Sequence, residues 1–170
     1  MTITLAHRAP PATTTPARPP RAPFDIAPAC ALKSTWASLQ QRRFDRLRLA
    51  FERQGGFVQA DRVSELLRPH WDQPMSRVAR WIAFGEVVSV TWRTQVWLPL
   101  FQFERPSLDL LPATAQVVRD LRAVYDDWDL AEWFVAPHDL LAGRAPAADL
   151  CHDPCAVREA ARRDRFVGRW

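Results

Sequence analysis

Cys151-His152-Asp153-Pro154-Cys155 holds three possible metal ligands in five residues, with His138 upstream. The spacing matches no established zinc pattern, and Asp153-Pro154 reads as a helix start, an N-cap followed by proline at the first helical position. Asp126, Asp127 and Asp129 form a carboxylate group, but three acids at a helix N-terminus are explained by the macrodipole. With five glycines in all, the chain has no phosphate-cradling loop, and no Ser/His/Asp order stands out. The expectation is a protein that is not an enzyme and that uses no cofactor and no metal.

The chemistry that remains is recognition by arginine. One set is Gln73, Ser76, Arg77 and Arg80, with Arg93 further on. Arginine, glutamine and serine on one helix face can hydrogen-bond base edges in the major groove, and a basic hairpin tip can meet the backbone. The other set is Arg158, Arg162, Arg163, Arg165, Phe166, Arg169 and Trp170 at the C-terminus. Cations in a final helical turn suit the macrodipole. Five arginines and a terminal tryptophan exceed that need, and arginine and tryptophan are favoured interface anchors.

Charge separates the two sets. Residues 1–54 carry nine basic against three acidic side chains, residues 55–104 five of each, and residues 105–170 nine against eleven. A basic front suits a polyanion and an acidic back suits something else, although a basic tail beside a neutral domain has the same asymmetry. No apolar run approaches the ~18 residues of a membrane span. Three cysteines form no even framework, and the N-terminus lacks the apolar core of a secretory signal, so a reducing cytoplasm is expected.

The elements that position these residues are legible in order. Residues 1–29, rich in Pro, Ala, Thr and Arg, read as a disordered basic tail. Residues 31–54 contain no Pro or Gly. Leu32, Trp36 and Leu39, then Phe44, Leu47 and Phe51, recur at helical intervals among Arg42, Arg43, Arg46, Arg48 and Arg53, and Gly55-Gly56 ends the helix. Residues 57–104 read as helix, break, helix and hairpin, the order of a winged helix-turn-helix. The helices are Ala60–Leu67, with Val63, Leu66 and Leu67 inward, and Pro74–Ala83, with Met75, Val78, Ala79 and Ile82 inward. The β-rich runs are Val87–Trp92 and Gln95–Phe103, turning at Arg93-Thr94.

Residues 105–170 read as four helices forming a compact domain. Pro112 opens the first, which runs to about Tyr125. Asp126 or Asp127 caps the second, Trp128–Val135, whose Leu130, Trp133 and Phe134 form an apolar stripe. Pro137 closes it by barring the helical conformation at Ala136. A short turn at Pro146–Leu150 precedes the helix begun by Pro154, which carries Val157, Ala160, Ala161 and Phe166. The fold class expected is therefore mainly α, with a small β-hairpin wing.

Across residues 57–167 the chain resembles the Xre/MbcA/ParS antitoxin family, most closely in that family's toxin-binding C-terminal domain. The residues that carry the likeness are Leu98-Pro99-Leu100-Phe101-Gln102-Phe103, Trp128, Trp133-Phe134, Pro137, Leu140-Leu141, Gly143, Pro146, Val157, Ala160-Ala161-Arg162 and Asp164-Arg165-Phe166. The resemblance implies a cytoplasmic antitoxin that binds a RES-domain, NAD-consuming toxin encoded in the same operon. It implies obstruction of the toxin's active site by the extreme C-terminus, here Arg162, Arg163, Arg165, Phe166 and the tail to Trp170. It also implies promoter binding through Arg77 and Arg80, as a homodimer. Trp133 and Phe134 are expected to hold the domain together. Glu104 stands where the family has Asp, and His138 where it has Asn. The alternative from the residues is a solitary DNA-binding regulator, or a protein-interaction adaptor, without a toxin. Deletion of residues 162–170 is expected to spare folding more than neutralisation.

Overall fold

The computed structural model describes residues 29–168, with side chains from Trp36 onward. The tail assigned to residues 1–29 falls outside them but for its last residue, as do Arg169 and Trp170. The fold is mainly helical, with a small three-stranded antiparallel sheet. Its elements run α1 (Ala29–Glu52), β1 (Phe57–Gln59), α2 (Ala60–Leu67), α3 (Pro74–Ala83), β2 (Val90–Trp92), β3 (Gln95–Pro99), α4 (Pro112–Leu121), α5 (Asp127–Val135), α6 (Pro146–Asp149) and α7 (Pro154–Val167). Short 3-10 turns at Leu100–Gln102 and Asp139–Leu141 join them. No helix among the described residues is long and apolar enough to cross a membrane.

The expected hairpin is present, turning at Arg93 with φ 55°. It gains a strand that the sequence did not announce. β1 pairs antiparallel with β3, Phe57 opposite Pro99 and Gln59 opposite Trp97, giving the order β1-β3-β2. Three residues are too few to show an alternating pattern. Gly55 and Gly56, at φ 101° and 117°, turn the chain from α1 straight into β1, and Gly56 N–H closes the helix on the Phe51 carbonyl at 2.9 Å.

Two apolar clusters form the interior. One joins Phe44, Leu47 and Phe51 of α1 to Phe57, Val90, Phe101 and the buried faces of α4 to α7. The other joins Val63 and Leu67 of α2, Val78 and Trp81 of α3, Leu98 and Phe103. The apolar packing therefore does not divide at residue 104: Phe101 stacks on Phe51 at 5.8 Å and meets Phe134 at 4.9 Å. Among the described residues of the α1 stripe, Phe44, Leu47 and Phe51 are covered, whereas Trp36 is 65% and Leu39 51% exposed.

Local signals explain the helix ends. Asp126, not Asp127, caps α5, accepting from Trp128 N–H and Asp129 N–H at 2.8 Å each. Asp153 accepts from Ala156 N–H at 2.9 Å, as its position before Pro154 predicts. α2 differs, because its N-cap is Gln59 with no side-chain bond, and Asp61 sits in the first turn. The inward faces of α2 and α3 also need correction. Leu66, Met75 and Ala79 point outward, and Trp81 takes the place given to Met75 and Ala79. A bulky ring in the last turn of α3 covers more apolar area than either, so the helix rolls to bury it.

Gln102 and Thr114 are polar yet wholly interior, and Gln102 is fully hydrogen-bonded there. Gln102 accepts from Val88 N–H at 2.8 Å and donates to the carbonyls of Val88 at 3.1 Å and Pro99 at 2.9 Å. It thereby pins the segment leading into β2 to the end of β3. Gln102→Leu leaves these buried backbone groups unpaired and is expected to cost about 3 kcal/mol, read as a lower urea midpoint with an unchanged m-value.

Candidate functional site

The two arginine sets lie on different helices, and the structure sorts each into engaged and free members. On α3 the exposed face carries Gln73 before its first turn, then Met75, Ser76, Ala79 and Arg80. Arg77, at the edge of that face, is only partly exposed and folds back on its neighbours. Its guanidinium lies 3.3 Å from the centre of the Trp71 ring and 5.2 Å from that of Trp81, and it faces Asp109 at 3.5 Å. Its Nε is buried without a partner. Such stacking with desolvation is worth about 2 kcal/mol, so Arg77 serves the packing of the Trp71 segment on α3. Arg80 remains exposed, 6.0 Å above the Phe84 ring. Gln73, Ser76 and Arg80 line a shallow depression with Trp71, Asp72 and the stacked Arg77.

Arg93, at the hairpin tip, is not brought to α3. It donates to Gln41 of α1 at 3.2 Å and lies 5.6 Å over its neighbour Trp92. The basic helix α1 is itself partly used internally. Arg43 grips Glu132 of α5 at 2.7 and 3.0 Å and also bonds Asp129. Its guanidinium is held above its ordinary pKa, first by the Glu132 hydrogen bonds. Arg42, Arg46, Arg48 and Arg53 stay exposed.

α7 shows the same division. Val157, Ala160 and Ala161 are buried against α4 and its neighbours, while Cys155, Glu159, Arg162, Arg163 and Phe166 share the outward face. Among the described residues, the ion pair of Arg162 is a loose one with Glu159, at 3.8 Å. Arg163 borders a polar hollow shared with Pro137, His138 and Leu140. Phe166 is 68% exposed and Val167 63%. Arg165 is engaged, donating to Asp120 of α4 at 2.9 Å. Arg158 is half-buried with its Nε unpartnered. The free C-terminal set is thus Arg162, Arg163 and Phe166, with Val167 added by the structure.

Behind this face, Asp164 gathers the loop after α5. It accepts from Trp133 Nε1 at 2.7 Å and lies 3.1 Å from His138 Nε2. Leu140 N–H donates to His138 Nδ1 at 3.2 Å, so Nε2 carries the proton and donates to Asp164. His138 therefore supplies one acceptor and one donor, the same pair an asparagine amide offers, and the loop closes with the Arg144 carbonyl accepting from His138 N–H. Deletion of residues 162–170 removes Asp164 and unties Trp133 and His138. Such a deletion therefore carries a folding cost of its own beside any loss of neutralisation. Trp133 and Phe134 are buried and belong to the core.

The cysteines of the 151–155 segment are both free and exposed. Asp153 is occupied as the α7 cap, and His152 Nδ1 lies 3.1 Å from the Ala148 carbonyl. Nearby, Arg144 holds Asp149 bidentately at 2.7 and 2.9 Å, and this hydrogen bonding keeps the Asp149 carboxyl below its usual range.

Compared with known proteins, the chain matches no family model, no curated protein and no solved structure.

Because Arg77 is built into the packing and Arg80 is not, Arg77→Ala is expected to lower stability by about 2 kcal/mol. Arg80→Ala should stay within about 0.5 kcal/mol of the parent chain. Urea unfolding of the two variants side by side checks this, and equal midpoints refute it.

Proposed function

We propose that the protein is the antitoxin of a type II toxin–antitoxin pair, binding and inhibiting a RES-domain, NAD-consuming toxin encoded beside it. The observation that carries the reading is the free end of α7. Arg162 and Arg163 project with Phe166 and Val167 from a helix whose opposite face is anchored through Val157, Ala160, Ala161 and Asp164. Two exposed guanidinium groups, one of them only loosely paired with Glu159, beside exposed apolar side chains suit a partner's pocket that is polar where it holds nucleotide phosphates and apolar around it. The ordered residue series from Leu98 to Phe166 supports the same assignment by resemblance. Arg169 and Trp170 extend this surface in sequence and lie outside the described residues.

Promoter binding as a homodimer in the cytoplasm completes the proposal. The order α2, α3, β2, β3 is compatible with a winged helix-turn-helix, and Gln73, Ser76 and Arg80 form its recognition face. Arg77 supports that face from behind, and Arg93 contacts the backbone if DNA passes the hairpin side. A solitary regulator uses this same face without the α7 end. The neighbouring reading frame distinguishes the two.

Arg162→Ala/Arg163→Ala is the informative variant, because neither side chain is tied to the core. With the adjacent gene product in an NAD-depletion assay, the parent chain at equimolar amount should stop NAD loss. The double variant should keep its thermal midpoint and lose at least tenfold in neutralisation. Unimpeded NAD loss in the presence of the parent chain refutes the antitoxin assignment. For the operator, Arg80→Ala should weaken promoter retention in a gel shift at physiological salt, and unchanged affinity removes Arg80 from the interface.

A further inference from the structure

We propose that the cleft between the end of α1, the 3-10 turn after β3 and the starts of α4 and α7 binds an amphipathic monocarboxylate. This site is independent of the α7 end and of the α3 face, and it does not rest on the antitoxin reading.

The cleft measures about 670 Å³, within the roughly 300–1,000 Å³ of small-molecule sites. Its buried lining is apolar and comes from both interior clusters: Phe101 and Leu150 from one, Phe103 from the other. A cleft at such a junction takes its walls from elements fixed by separate cores, so it is formed before a ligand arrives.

Its exposed lining is charged. Arg53, Arg105 and the His152 ring border it, with Glu104 as the single carboxylate, leaving one net positive charge with the imidazole counted as neutral. Neither arginine makes an ion pair among the described residues. Arg105 has only a long bond, 3.4 Å, to the Gly55 carbonyl. Gly55 makes room for it, since a Cβ there would lie 2.9 Å from Arg105 Nη2. The start of α4 also opens on the cleft through Pro112 and Ala113, with no acid in its first turn and no side-chain cap. An anion is favoured there by the helix dipole as well as by the guanidinium groups. An apolar body in the cleft with one carboxylate at its rim satisfies both halves of the lining. A dianion exceeds the net charge, and a neutral apolar ligand leaves the arginines unused.

The test uses the full chain and calorimetric titration with octanoate and 4-phenylbutyrate, with octan-1-ol as the neutral control. At least one carboxylate should bind saturably, about tenfold or more tighter than the alcohol. Arg53→Gln/Arg105→Gln should abolish that preference, and both side chains lie on the surface, so folding should be retained. Ala148→Trp, which fills the cleft from α6, should remove binding of all three ligands. No saturable binding of either carboxylate up to millimolar concentration overturns the proposal. So does alcohol binding of equal strength, or full affinity in a folded Ala148→Trp variant. The aliphatic and aromatic arms tell which apolar body fits better.

Discussion

A continuous run of aromatic rings holds the three parts of this protein to one another. Trp92 of the hairpin stacks on Phe44 of α1 at 5.2 Å, and its edge meets Trp128 at the start of α5 at 6.0 Å. Phe44 meets Phe57 of β1, which meets Phe51, then Phe101, then Phe134 of α5. Each such pair contributes about 0.5–1.5 kcal/mol beyond its area burial. The series passes from α1 through the sheet into the C-terminal helices without interruption. Its rings come from segments more than 80 residues apart, so folding must close long loops before the pairs form. The reward is a junction that fixes the α1 axis, the sheet and α5 at once.

Around that junction the arginines do two different jobs. Arg43 clamps α1 to α5, Arg77 stacks behind α3, Arg122 joins Asp127 and the Val87 carbonyl, and Arg165 ties α7 to α4. For Arg43, Arg77 and Arg122 the planar guanidinium reaches two groups at once or lies on a ring, which an ammonium does less well. Arg42, Arg46 and Arg48 of α1, Arg53 just after it, Arg80 of α3, and Arg162 and Arg163 of α7 point outward with little to hold them. A net positive charge therefore overstates the cationic surface, and the free guanidinium groups are concentrated in small, separate places. This separation is why the α3 face, the α7 end and the rim of the cleft are distinct sites and not one basic band.

Asp164 shows how closely a candidate binding surface can depend on the fold. It sits one residue from Arg163 and Arg165, yet its carboxylate faces inward to Trp133 and His138. The outward face of α7 is thereby registered against the loop at Pro137–Gly143. Truncating the helix disturbs that loop, whereas trimming the outward side chains does not.

Much of this architecture was written in local sequence. Helical spacing from Leu32 to Phe51, the glycine pair after it, Asp153-Pro154 and the β-rich runs on either side of Arg93-Thr94 each act within a turn or two of chain, so elements and ends could be read directly. The buried places of Leu130, Trp133 and Phe134 also followed from spacing. Periodicity could not say which of Met75, Ala79 and Trp81 would face inward, because the answer depends on what lies opposite α3. It could not reveal β1, which exists only because β3 pairs with it. Nor could it tell Arg77 from Arg80, or Arg165 from Arg163, since identical side chains differ only in whether a ring or carboxylate from a distant segment stands within reach. Residue type and spacing thus determined the helices, their ends and the candidate arginines. Tertiary contact alone decided which of those arginines are left free to meet anything else.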